Sequence, residues 1–203
     1  MGQVCQRLVS KKSEKQTRRV LDEQMRSLDD LKQDFINLVI EPTAWLGDSP
    51  DRFDTYARYA SQVDSITEFG VYTGLSTCAW LSGKPNKLRS YDITDKNLSV
   101  LDELKGNAEL NGTDFEFALA NSLEIEIEPC DLLFIDTVHK RDHCLAELNK
   151  HGSFANKYIV LHDPSDWPGV FEAVIMFLHH NRQWHIIEHC NKNSGLLVLE
   201  RYA

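Results

Sequence analysis

Five stretches of this sequence place glycine, carboxylate, amide or imidazole groups directly after an apolar run. They are Glu68-Phe69-Gly70-Val71-Tyr72-Thr73-Gly74-Leu75-Ser76, Tyr91-Asp92, Ala120-Asn121-Ser122, Asp136 and His162-Asp163. Gly70 and Gly74 allow a tight turn from strand to helix and a close approach of backbone to ligand. Asp92 follows about twenty residues later, where a carboxylate can accept the hydroxyls of a ribose. A dinucleotide fingerprint shares both features, but it needs a glycine at the position of Tyr72 so that a pyrophosphate can reach the backbone. The loop therefore suits a ribose-bearing ligand without that phosphate pair. His139 and His143 are four residues apart and could share a helix face as a metal pair, although a helical polar position also accounts for His143. His179 and His180 suit the C-terminal end of a helix dipole, and His185 and His189 read as strand positions. Trp167, within Pro164-Ser165-Asp166-Trp167-Pro168, either walls a pocket or anchors a helix start.

The elements that must position these groups alternate regularly. Apolar runs predict strands at 65–69, 87–92, 114–119, 131–136 and 157–162, with helices at 74–82, 95–110, 140–151 and 168–181 between them. Leu132-Leu133-Phe134-Ile135 and Tyr158-Ile159-Val160-Leu161 are continuously apolar, as strands covered on both faces should be. Trp184–His189 and Leu196–Glu200 follow without an intervening helix and read as a closing hairpin. The expected fold is α/β: a Rossmann-like, seven-stranded, mostly parallel sheet with a C-terminal antiparallel hairpin and helices on both faces. In such sheets ligands bind outside the carboxyl ends of the strands, where the five stretches fall. Residues 1–62 read as an N-terminal helical arm or cap and 63–203 as the ligand-binding domain. Within the arm, one helix is predicted from Ser13 to Ile40, stopped by Pro42, and another from the Ser49-Pro50 start to Gln62.

Composition narrows the function classes. Residues 1–26 carry seven Lys/Arg against three Asp/Glu, while the whole chain has a formal charge of −9. The body is therefore strongly acidic, which argues against a phosphate backbone as main partner. No apolar run reaches the ~20 residues of a membrane span, and no signal core is evident, so a soluble cytoplasmic protein is expected. The five cysteines (Cys5, Cys78, Cys130, Cys144, Cys190) form no CxxC pair and suggest neither a disulfide framework nor a zinc site.

Glu68-x-Gly70-x-x-x-Gly74-x-Ser76 is similar to the first motif of small O-methyltransferases of the catechol and caffeoyl-CoA type, which are class I S-adenosylmethionine-dependent methyltransferases. The stretch Asp131–His143, followed by Tyr158–Asp163, resembles their metal and catalytic segments. It is closer still to those of relatives that methylate macrolide sugars or belong to cephalosporin clusters. The resemblance runs from Ile66 to Arg201. It implies that Glu68, Gly70, Tyr72, Gly74 and Ser76 line the methionine and ribose side of the cofactor, that Asp92 holds the ribose, and that Asn121 or Ser122 lies near the adenine. Asp136, beside the cofactor, and Asp163 match metal-binding carboxylates, His162 joins them, and His139 matches the general base. Methyl transfer to an oxygen needs an aligned acceptor stripped of its proton. A bound Mg²⁺ or Mn²⁺ would lower the hydroxyl pKa and a neutral imidazole would take the proton.

Two departures from the family matter. Pro164 stands where catechol-type enzymes have Asn, and His162 where the sugar-methylating relatives have an acidic residue. Imidazole suits Mn²⁺, Fe²⁺ or Zn²⁺ better than Mg²⁺. Either the metal differs, His162 is not a ligand, or the metal site is lost. The resemblance thus implies an enzyme acting on a small hydroxylated molecule, a sugar or a phenol, and the N-terminal helices suggest a homodimer. The alternatives are a metal-independent methyltransferase acting on nitrogen or carbon, a nicotinamide-dependent oxidoreductase, and a non-catalytic binding module.

Overall fold

Residues 25–40, 50–192 and 194–202 are described by a computed structural model. Helix α1 spans Leu28–Ile40 and α2 Pro50–Ala60. Then follow β1 (Ser65–Phe69), α3 (Leu75–Ser82), β2 (Lys87–Asp92), α4 (Leu101–Asn111), β3 (Asp114–Leu119) and β4 (Cys130–Ile135). The remainder is α5 (Arg141–His151), a 3-10 turn (Gly152–Phe154), β5 (Ala155–His162), α6 (Pro168–His180), β6 (Trp184–Cys190) and β7 (Leu196–Arg201). The strand order is β3-β2-β1-β4-β5-β7-β6. β1 to β5 pair in parallel, and β7 runs antiparallel to both β5 and β6. This is the expected Rossmann-like sheet, with its topological switch between β1 and β4.

Alternation along the central strands builds two cores. Leu132 and Phe134 of β4 face one side, packing with Leu31, Tyr56, Trp80 and Leu104 from α1 to α4. Leu133 and Ile135 face the other, packing with Cys144, Leu148, Val174 and Phe177 from α5 and α6. The rings of Tyr56, Trp80 and Phe134 lie 4.7 to 5.2 Å apart in tilted or edge contacts, which tie α2 and α3 to the sheet centre. Each such fully buried ring contributes roughly 2–3 kcal/mol of transfer free energy.

Three local departures from the sequence expectation have physical causes. Residues 25–27 are not helical, so α1 begins at Leu28. Ser27 caps it reciprocally: Ser27 Oγ accepts the Asp30 N–H (3.1 Å) and Asp30 Oδ2 accepts the Ser27 N–H (3.0 Å). The expected start at Ser13, the Pro42 stop and the Ser49 cap lie outside the described residues. Second, α4 begins at Leu101, not Asp95, because Leu98 and Val100 fill a turn directly beside Gly74. Third, among the described residues no helix covers the β2–β3 end of the second face. The β3–β4 connection crosses it, burying Ile127, and the exposed surface is laced by ion pairs of Arg89 with Asp114 and Lys87 with Glu128.

Candidate active site at the carboxyl edge of the sheet

The loop after β1 is built from backbone as much as from side chains. Gly70 and Gly74 have φ of 88° and 91°, and Tyr72, half-exposed between them, has φ 47°. A Cβ on Gly70 would overlap the Asp136 carbonyl, so glycine is required where the ends of β1 and β4 meet. Asp92 closes this loop. Its Oδ2 accepts the N–H groups of Val71 (2.8 Å) and Tyr72 (2.9 Å), and its Oδ1 accepts that of Thr94 (3.1 Å). A carboxylate has about four acceptor positions, so capacity for one further hydroxyl remains.

Glu68 lies beneath the loop and is wholly buried. It accepts from Ser76 Oγ (2.7 Å), Thr77 Oγ1 (2.7 Å) and Ser90 Oγ (2.5 Å), which binds β1, β2 and the start of α3 into one unit. Burial pushes its carboxyl up to about 7 despite these three donors. Ser76 therefore spends its hydroxyl on Glu68, inside the fold.

At the ends of β4 and β5 four residues close a ring. His139 Nε2 lies 3.0 Å from Asp136 Oδ1 and 3.4 Å from Asp163 Oδ2. His162 Nδ1 lies 3.1 Å from Asp136 Oδ2 and 2.9 Å from Asp163 Oδ1. Each carboxylate thus touches both imidazoles. Burial disfavours ionisation of Asp136, but His162 and His139 outweigh it and hold the carboxyl below its ordinary value. Burial also opposes a charged His139, yet Asp136 and Asp163 hold that imidazole above its ordinary value. Asp163 itself sits at φ 64°, a left-handed conformation that costs about 1 kcal/mol or more.

The ring has the chemistry of a cation site. Asp136, His139 and Asp163 each offer one ligand atom, all within 4.8 Å of one another. Neighbouring ligands of an octahedral ion with bonds of about 2.1 Å stand about 3 Å apart, the spacing found here. His162, buried deeper than His139, lies outside that set of three but has its Nδ1 within 3.1 Å of both carboxylates. Mixed imidazole and carboxylate donors suit Mn²⁺ or a later divalent ion better than Mg²⁺. Outside the ring, Trp167 stacks on His139 with centroids 5.6 Å apart and an interplanar angle of 23°, and half of its surface is open.

The third stretch divides. Asn121 organises its own turn, accepting the Leu123 N–H (3.1 Å) and donating to Glu124 (3.0 Å). Ser122 is buried and donates to Glu147 Oε1 at 2.5 Å. Glu147, from α5, is wholly buried and also receives Thr137 Oγ1 (2.8 Å), with His143 Nε2 at 3.3 Å. Burial raises its carboxyl, against the lowering by Ser122, Thr137 and His143. This brace joins the ends of β3 and β4, and sequence reasoning missed it, since a Glu inside a helix carries no distinguishing spacing. It also missed Ile93 and Val138, which stand exposed after β2 and β4 beside Asp92 and Asp136.

The sequence matches no protein-family model and no curated protein. Solved structures do match. A methyltransferase of Podospora anserina, PaMTH1, bound to S-adenosylhomocysteine, superposes with a TM-score of 0.65 at 14% identity, over 95% of this chain and 96% of that one. An O-methyltransferase from Bacillus cereus in complex with the same product gives 0.60 at 15% identity, over 91% and 96% of the two chains. The O-methyltransferase TomG of Streptomyces achromogenes, in complex with S-adenosylmethionine, gives 0.60 at 13% identity, over 91% and 95%. Near-complete mutual coverage at TM-scores of 0.60 to 0.65 shows that this chain shares the Rossmann-like fold of these methyltransferases.

Proposed function

We propose that the protein is an S-adenosylmethionine-dependent methyltransferase that methylates a hydroxyl group of a small molecule with the help of a divalent cation. The observation that carries this reading is the Asp136-His139-Asp163-His162 ring, set one strand from the Gly70–Gly74 loop. On this reading the ring would set proton acceptors and cation ligands beside a turn suited to a nucleoside, and matched structures of the same fold hold that cofactor or its product.

S-adenosylmethionine supplies an electrophilic methyl carbon on a sulfonium. In this reading Asp92 offers its remaining acceptor position to the ribose, and Ile93 and Val138 give apolar walls for the base. Gly70, Tyr72 and Gly74 present backbone to the ribose and methionine side, with Glu68 and Ser76 holding that backbone from within. Asn121 and Ser122 shape the far end through the turn and the Glu147 brace. Asp136, Asp163 and His162 would hold the cation, and a bound cation would supply Lewis acidity that lowers the pKa of an acceptor hydroxyl. His139, the outer imidazole, takes the proton. It must be neutral to do so, and a cation held by the two carboxylates would balance their charge in place of the imidazole's proton.

A second reading, methyl transfer without a metal, draws on the same ring, because Asp136 and a charged His139 satisfy one another unaided. Calorimetric titration of S-adenosylhomocysteine into metal-stripped protein, repeated with Mg²⁺ and Mn²⁺ and with Asp92→Ala as control, separates the cases. Micromolar binding lost in Asp92→Ala, with a separate heat for Mn²⁺, supports the proposal. Cofactor binding with no metal heat favours the second reading, and no cofactor binding under any condition overturns both.

A further inference from the structure

One buried cation stands well outside the ring yet is connected to it. Arg52, on α2, is 5% exposed. Its guanidinium donates to the Gly195 carbonyl and, at 2.8 Å, to the Lys192 carbonyl. Both acceptors belong to the turn between β6 and β7, more than a hundred residues away in sequence. The turn is conformationally demanding: Ser194 and Gly195 have φ of 65° and 95°, and a Cβ at Gly195 would stand 2.8 Å from the Ser165 nitrogen. Such a turn persists where its surroundings determine it.

The same turn holds the segment that carries Asp163. The Gly195 carbonyl that Arg52 binds also accepts the Asp163 N–H at 3.1 Å. The Ser194 carbonyl accepts the N–H groups of Ser165 (2.9 Å) and Asp166 (3.3 Å), and Ser194 Oγ donates to Asp166 Oδ2 at 2.7 Å. Asp163 in turn accepts the Trp167 N–H at 3.0 Å through its carbonyl. A continuous path of hydrogen bonds therefore runs from Arg52 through Gly195 to the left-handed backbone of Asp163.

We propose that Arg52 is a positioning residue for the ring: by holding the Lys192 and Gly195 carbonyls it fixes the backbone of Asp163, and thereby the carboxylate that faces His139 and His162. The inference rests on the cation-binding reading of Asp163. The guanidinium fork suits this role because it meets two carbonyls at once in a fixed plane, which a lysine ammonium on a flexible stem does not reproduce. The glycine loop and Asp92, on the opposite side of the switch point, lie outside this path.

The test compares Arg52→Met and Arg52→Lys with the wild type in three measurements on the full chain. These are Mn²⁺ affinity by calorimetry, S-adenosylhomocysteine affinity, and amide hydrogen exchange of residues 163–167. In Arg52→Met, Mn²⁺ affinity should fall about tenfold, the usual effect of losing a group that orients a ligand. Exchange in 163–167 should accelerate, with S-adenosylhomocysteine affinity within about twofold, a selectivity that general loosening would not give. Arg52→Lys should recover part of both losses; if Arg52→Met does not fold, this variant carries the comparison. Unchanged exchange and unchanged Mn²⁺ affinity in a folded variant overturn the proposal, as does an equal loss of Mn²⁺ and product affinity. Should the wild type take up no Mn²⁺, the metal reading fails by itself, and exchange of residues 163–167 still decides whether the clamp exists.

Discussion

Asp92 holds the peptide of Tyr72 in place: its Oδ2 accepts the Tyr72 N–H at 2.9 Å, while Tyr72 itself adopts a left-handed φ of 47°. The same carboxylate that is suited to a ribose hydroxyl thus shapes the loop in advance of any ligand, which reduces the ordering that binding must impose. Asp92→Asn keeps one acceptor oxygen for these N–H groups but loses the charge. We expect it to unfold in urea within about 1 kcal/mol of the wild type while losing most of its affinity for S-adenosylhomocysteine. Wild-type affinity in this variant would show that the carboxylate serves the loop alone.

The two imidazoles of the ring should respond differently to removal. His162→Ala deletes the deeper donor and should weaken Mn²⁺ binding by 10-fold or more, on the order seen for supporting groups in metal sites. His139→Ala should retain most of the Mn²⁺ affinity and lose turnover by about two to four orders of magnitude, as for a general base. Calorimetry and a methyl-transfer assay on the same preparations read both quantities. Loss of Mn²⁺ binding in His139→Ala would instead make His139 a ligand.

Glu68 makes stability depend on pH in a defined direction. Its carboxyl is raised by burial from 4.5 to about 7, so the folded state favours the protonated form. Its contribution is therefore complete below about pH 4.5 and is lost as the pH rises through about 7, an effect on the order of 3 kcal/mol. Glu68→Gln stays neutral and keeps one acceptor oxygen, enough for Thr77 and Ser90, while its amide NH2 would donate to the Ser76 oxygen. Urea unfolding at pH 4.5 and pH 8 should show the variant gaining on the wild type at the higher pH. A difference that does not change with pH would mean that Glu68 is ionised throughout.

Two glycines with positive φ should tolerate alanine very differently. At Gly112, φ 77°, an added Cβ meets nothing within 4 Å, and Gly112→Ala should cost about 1 kcal/mol for the left-handed backbone alone. At Gly70 the Cβ also overlaps the Asp136 carbonyl, and Gly70→Ala should cost about 3 kcal/mol or more. Thermal unfolding of the pair checks the ordering, and equal losses would contradict it.

The sheet was legible in the sequence because its central strands are apolar on both faces: Leu132 to Ile135 and Tyr158 to Leu161 admit few other arrangements. The polar residues that follow them were legible for the same reason, since a strand end locates its neighbour. Leu98 and Val100 misled, having the spacing of a helix while filling a turn beside Gly74. Arg52 and Glu147 were invisible to sequence reasoning. Their partners are carbonyls and hydroxyls distant in the chain, and neither periodicity nor motif marks a side chain whose meaning arises only on folding.

The position of β7 has a consequence for how the molecule is made. It follows β6 in chain order, yet it lies between β5 and β6, with Leu196 to Leu199 wholly or almost wholly buried. During synthesis β6 emerges with no neighbour to pair with, and β5 presents a bare edge, until the residues up to Arg201 are released. A ribosome paused before Leu196 would hold a chain with the β5 edge bare and β6 unpaired, a template for pairing with other nascent chains. The sheet therefore closes only after β7 has been made, and the Asp163 segment, tied to the turn that precedes β7, cannot take its final form any earlier.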